Sequence, residues 1–121
     1  MRKGAGNEPD EGKALAGFGR YAGAATLIMS SLADGTKHGY ALTKDIESFA
    51  GIRIAPGTLY EALARLESQG LIEAVDSDDR RRPYRLTAAG ASELAEQSER
   101  MHQVSSVAQR RLRANYGWAG A

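Results

Sequence analysis

Apolar residues recur at helical spacing in three stretches, then run briefly strand-like, then return to helical spacing. From about Ala14 to Ala33, Tyr21, Ala25, Ile28 and Leu32 share one face of an expected first helix, and Asp34-Gly35 is its stop. From Tyr40 to Phe49, Leu42, Ile46 and Phe49 sit at i, i+4 and i+7 of a second helix, with Gly51 as its expected left-handed cap. Pro56 suits the first turn of a third helix, where its missing N–H removes no bond and its φ is already helical. This helix is expected to reach about Gln69, with Leu59, Ala62, Leu63 and Leu66 as its apolar stripe. Gly57, Glu61, Ala64 and Ser68 lie opposite, flanked by Thr58, Tyr60 and Arg65, and Gly70 closes the helix.

Leu71 to Val75 reads as a strand, Asp76-Ser77-Asp78-Asp79 as a turn, and Arg80 to Thr87 as a returning strand. The pair predicts a β-hairpin with a polar, basic tip. Thr87 is the expected N-cap of a last helix continuing to about Leu112. Its apolar positions Leu94, Met101, Val104, Ala108 and Leu112 approximate a heptad seam, broken at Gln97. A long helix with one apolar seam needs a partner, and these five residues are the expected dimerisation contacts.

Composition narrows the function classes. The 121 residues include no Cys, so disulfides, thiolate nucleophiles and Cys-based metal sites are excluded, and the reducing cytoplasm is the expected compartment. Tyr21 to Ala33 is too short to cross a bilayer, and Arg2-Lys3 is followed by no apolar block of the kind a signal peptide requires. Residues 1–13, Gly-rich and charged, are expected to be a disordered arm. The net charge of +1 points to no polyanion, but arginines cluster at Arg80, Arg81, Arg82 and Arg85, and again at Arg100, Arg110, Arg111 and Arg113.

Gly17 to Ala22 fits a loose dinucleotide-binding pattern without the preceding strand. Asp76 to Thr87 fails as a calcium loop because Arg80 and Arg81 fall where a ligand and the loop glycine belong. With only His38 and His102, far apart, no catalytic set is assembled; no enzyme, metal or cofactor is expected.

Three helices followed by a basic-tipped hairpin is the order of a winged helix-turn-helix, a mainly α (α+β) fold. The second helix braces the third, whose polar face fits a major groove about 12 Å wide while the hairpin reaches the adjacent backbone. The expected organisation is an arm at 1–13, a winged helix-turn-helix at 14–87, and a dimerisation helix with tail at 88–121.

Three segments then resemble the PadR family of transcriptional regulators: Leu32 to Leu42 with His38-Gly39-Tyr40, Pro56 to Ile72 opening on Pro56-Gly57-Thr58-Leu59-Tyr60, and Arg82 to Gly90. The resemblance covers roughly residues 25–95. The short stretch after the hairpin resembles the subgroup with a single C-terminal helix, and residues 1–13 have no counterpart. It implies a homodimeric repressor of a near-palindromic operator in double-stranded DNA, relieved by a small aromatic or drug-like effector. The alternative is a winged-helix protein–protein interaction module without DNA binding.

On this reading Thr58, Tyr60, Glu61, Ala64 and Arg65 contact DNA, with Thr58 and Tyr60 placed for phosphates and Arg65 for a guanine edge. Equally, Glu61 or Glu67 can hold Arg65 in a helical ion pair. The resemblance also implies that Tyr40 and Lys44 face the backbone, against core packing of Tyr40 beside a Gly39 chosen for close approach. His38 is expected to hydrogen-bond at a helix start. Arg80, Arg81 and Arg82 meet phosphates, or form a solvated tip neutralised by Asp76, Asp78 and Asp79. Tyr116 and Trp118 end the chain as a frayed tail, or Trp118 stacks on the effector.

Overall fold

The computed structural model describes residues 23–76 and 81–118. Helix α1, Gly23–Leu32, is short and buried on several sides, with Leu27, Ile28, Met29 and Leu32 in the core. The part of the predicted first helix before Gly23, with Tyr21, lies outside the described residues, as do the arm at 1–13, Ser77 to Arg80 and the last three residues. Around α1 pack α2, Gly39–Ala50, and α3, Pro56–Ser68. They contribute Leu42 and Ile46, and Leu59, Ala62, Leu63 and Leu66. Burying each large aliphatic side chain is worth about 1.5–3 kcal/mol, so these residues dominate the stability of the domain.

Local chemistry sets the element ends as the residue pattern predicts. Gly51 caps α2 at φ 68°, ψ 20°, its N–H donating to the Glu47 carbonyl. Pro56 opens α3, and Gly70 follows it at φ 76°. Phe49 departs from the expected pattern. It lies beside the face of Leu42 and Ile46 but is 50% exposed, because the buried face of α2 runs from Leu42 through Ile46 to Ala50 and turns away from it.

Strands β1, Ile72–Ala74, and β2, Tyr84–Leu86, pair antiparallel with Ile72 opposite Leu86 and Ala74 opposite Tyr84. Ile72 and Tyr84 point inward and Glu73 and Arg85 outward, the period of two of a half-buried hairpin. A third segment joins its edge. Lys37 exchanges both backbone hydrogen bonds with Tyr84, at 3.1 and 2.8 Å, tying the α1–α2 turn to the hairpin. The Lys37 ammonium also bonds the Ser31 carbonyl and Asp34, and holds the Asp34 carboxyl below the usual carboxylate range.

Thr87 caps the last helix, α4, Ala88–Tyr116: its hydroxyl accepts from the Gly90 N–H at 3.0 Å and donates to the Gly70 carbonyl at 2.7 Å. The helix runs four residues past the expected Leu112, to Gly117 in the left-handed region at φ 70°. Leu94 packs against the core. Gln97, the break in the apolar seam, accepts a hydrogen bond from the buried Thr26 hydroxyl of α1 and donates to Glu93 at 3.0 Å. A polar residue therefore stands in the seam because it faces a buried hydroxyl. Gln97→Leu is expected to lower stability by about 1–3 kcal/mol by leaving Thr26 unpartnered, whereas Thr26→Val with Gln97→Leu recovers most of it. Urea denaturation of both variants checks this.

Candidate nucleic-acid interface

One face of α3 is exposed among the described residues. Burial of Leu59, Ala62, Leu63 and Leu66 turns Thr58, Tyr60, Glu61, Ala64 and Arg65 outward, and all five are exposed. Among the described residues neither Glu61 nor Glu67 forms an ion pair with Arg65. Glu67 instead reaches the hairpin, where it meets Arg82 at 3.4 Å. The Arg65 guanidinium thus stands on the exposed face without a carboxylate partner.

The N-terminus of α2 adjoins this face. Tyr40 is 66% exposed, which overturns the core-packing reading, and the Lys44 ammonium lies 5.9 Å from its ring centroid. Lys44 likewise has no carboxylate partner among the described residues. The close approach expected at Gly39 is present, but to the Tyr60 hydroxyl of α3. His38 occupies the N-cap position of α2, yet its side chain makes no capping bond, and its buried Nδ1 has no hydrogen-bond partner among the described residues. The expected helix-start hydrogen bond of His38 is therefore not made.

Two recesses flank Tyr60. One of about 410 Å³ lies between α2 and α3, with Tyr40, Lys44 and Arg53 on its walls. The other, about 490 Å³, opens between the start of α2 and the hairpin and is lined by His38, Tyr40, Tyr60, Arg81, Arg82 and Tyr84. Donors from three elements, α2, α3 and the hairpin, thus converge on one side of the molecule. Thr58 is apart from them, on the opposite flank of α3 beside Ile52 and Ala55.

At the hairpin, Arg82 stacks 5.6 Å from the Tyr84 ring centroid, and Arg85 pairs with its cross-strand partner Glu73 at 2.7 Å. Arg81 is exposed, and Arg80, Asp78 and Asp79 lie outside the described residues. On the far side of the chain, Tyr116 and Trp118 meet edge to face at 6.4 Å, both exposed. No group of three or more metal-ligating side chains occurs among the described residues, and no described helix is long and apolar enough to cross a membrane.

Three features of the site escape the periodicity of the chain: the Gly39–Tyr60 approach, the Glu67–Arg82 pair and the Lys37–Tyr84 bridge. Each joins residues distant in sequence. The only signal for them was Gly39 itself, a glycine at a helix start with no turn to form.

The match to the PadR-like family of transcriptional regulators spans residues 28–96. Among curated proteins, the chain is 43% identical over 79 residues to an uncharacterized 37.1 kDa protein in transposon TN4556 of Streptomyces fradiae. That match covers 65% of this chain and 23% of the other, so the chain spans less than a quarter of that relative's length. It is 38% identical over 81 residues to a transcriptional regulator of Mycobacterium tuberculosis, covering 64% of this chain and 75% of the other. Among solved structures, a PadR family transcriptional regulator from Eggerthella lenta superposes with a TM-score of 0.70 at 30% identity, covering 84% of this chain and 92% of that one. The family is one of transcriptional regulators and not of enzymes. With more than half of its length matched, and with three helices, a two-stranded wing and a long last helix in the same winged-helix fold, this chain belongs to the PadR-like family of transcriptional regulators.

Proposed function

We propose that the protein is a sequence-specific regulator that binds a near-palindromic site in double-stranded DNA as a homodimer. The observation that carries this reading is that, among the described residues, the exposed charges of Arg65 on α3 and Lys44 on α2 have no carboxylate partner, where Arg53, Arg82 and Arg85 are each matched by one. A guanidinium without a protein partner on a groove-sized helix is available to a guanine edge, and an ammonium beside Tyr40 to a phosphate. Thr58, Glu61 and Ala64 complete the groove face, and Tyr40, Tyr60, Arg80, Arg81 and Arg82 the backbone contacts.

The second copy docks on α4. The stripe that carries Leu94 and Gln97 against the domain continues through Met101, Val104, Ala108 and Leu112, where no described element covers it; Val104 is 54% exposed. Val107 and Ala108 extend a shallow apolar surface beside Val104. Glu93, Glu96 and Glu99, with Arg100 paired to Glu96, precede this surface, and Arg110, Arg111 and Arg113 follow it. Two copies running antiparallel therefore set acid against base, whereas parallel copies set like against like. Such a dimer holds two α3 helices about one DNA turn apart.

Seated over a promoter, the dimer represses by exclusion, and a small aromatic effector stacked on Trp118 relieves it by favouring a spacing that does not fit DNA. Each tenfold loss of occupancy then requires about 1.4 kcal/mol of preference for that spacing. The exposed Tyr116–Trp118 pair beside the dimer helix supports this placement.

The test is capture of fragmented genomic DNA from the source organism, with excess nonspecific competitor, at two salt concentrations. A few inverted-repeat fragments are expected to survive and to weaken with salt. Arg82→Ala should lower the log–log salt slope by about 0.9. Arg65→Ala should instead lose about 1–3 kcal/mol at one base position and relax the preference there. A folded dimer that retains no fragment favours the interaction-module reading.

A further inference from the structure

Gly39 is buried at the first position of α2, in ordinary helical backbone that any residue adopts. Its conformation therefore does not require glycine, and glycine weakens a helix relative to alanine. What requires it is space. A Cβ on Gly39 would lie 2.6 Å from the Tyr60 hydroxyl oxygen, closer than real Cβ contacts come, and a tight 3.2 Å from Cζ. Yet Tyr60 is 56% exposed and outside the core cluster, and the clash falls on the free end of its side chain. The fold does not need the ring there, because an alanine at this position could push it outward at little expense to the core.

Resting on the DNA-binding reading above, we propose that Gly39 is a positioning residue for that interface: its missing side chain seats the Tyr60 hydroxyl against the start of α2. Seated there, Tyr60 forms a wall shared by both recesses, with Tyr40 and Lys44 in one and Arg81 and Arg82 in the other. The seat fixes where a hydroxyl can donate to a backbone phosphate between α2 and the wing. It also spares the rotamer freedom that an exposed tyrosine otherwise loses on binding.

The experiment is a double-mutant cycle in the full chain, read by affinity for a captured operator and by thermal unfolding. Gly39→Ala is expected to melt at or slightly above the wild-type temperature and to bind about tenfold more weakly. In a Tyr60→Ala background the same substitution should change affinity by less than about twofold, because the residue it displaces is gone. Wild-type affinity in Gly39→Ala overturns the proposal, as does an equal loss with and without Tyr60. So does a markedly lowered melting temperature, since the contact would then bear on the fold. A wild-type protein that captures no DNA removes the underlying reading, an outcome distinct from wild-type binding shared by Gly39→Ala.

Discussion

Val104→Glu combined with Ala108→Glu is expected to convert the protein into a folded monomer and to reduce operator affinity by about 100-fold or more. Both positions are exposed on α4 and contribute nothing to the core of one chain, so the melting of an isolated domain should change little. Across a two-fold axis each substitution counts twice, and each places a carboxylate where apolar surface would be buried, a loss of several kcal/mol in association. The affinity falls because a monomer engages one half-site, and the second no longer benefits from tethering. Light scattering gives the mass, and titration against one and two half-sites gives the affinities. A double variant that remains dimeric would place the interface elsewhere on the chain.

Gly90→Ala is expected to be the most damaging alanine substitution among the described glycines, lowering stability by about 2–4 kcal/mol. The corresponding fall in melting temperature is roughly 10–20 °C for a domain of this size. A Cβ on Gly90 would overlap the Leu71 carbonyl oxygen and come within 2.8 Å of Leu86 Cδ1. The backbone is held on both sides. The Gly90 N–H donates to the Thr87 hydroxyl, while the Leu71 carbonyl accepts from the Thr87 N–H at 3.1 Å. Relief would require moving α4's first turn away from the hairpin, exposing Leu86 and loosening the Thr87 cap. Thermal and urea unfolding check this, and melting within a degree or two of wild type would refute it. The contrast with Gly39→Ala is physical: at one glycine the obstacle is backbone and cannot yield, at the other it is the tip of an exposed ring.

The helices were legible in the residue pattern because their faces follow from 3.6-residue spacing and their ends from local chemistry. Leu59, Ala62, Leu63 and Leu66 turn inward as the stripe predicts; Gly51, Pro56 and Thr87 act where an αL cap, a missing N–H and a hydroxyl are wanted. The outward face of α3 follows as the complement of the buried one. Thr58, Tyr60, Glu61, Ala64 and Arg65 could therefore be placed before any tertiary structure was known. The motif blocks around His38-Gly39-Tyr40 and Pro56 to Tyr60 carried the family, because they combine cap, glycine and tyrosine at spacings that periodicity alone does not demand.

Long-range pairing was not legible, because nothing in a residue's own neighbourhood records what arrives from elsewhere in the chain. Phe49 has the periodic position of a core residue and lies half in solvent, since the last turn of α2 meets the core through Ala50 instead. Gln97 breaks an apolar seam for the sake of Thr26, seventy-one positions away. Arg65 had Glu61 at helical spacing and Glu67 two residues on, yet it pairs with neither, and Glu67 meets Arg82 of the wing instead. Periodicity and caps thus belong to the sequence, since they act over a few residues along one element. Which glycine is indispensable, which arginine is left open and where α4 leaves the domain depend on contacts between elements, and those exist only once α1 has gathered the other helices and the hairpin around it.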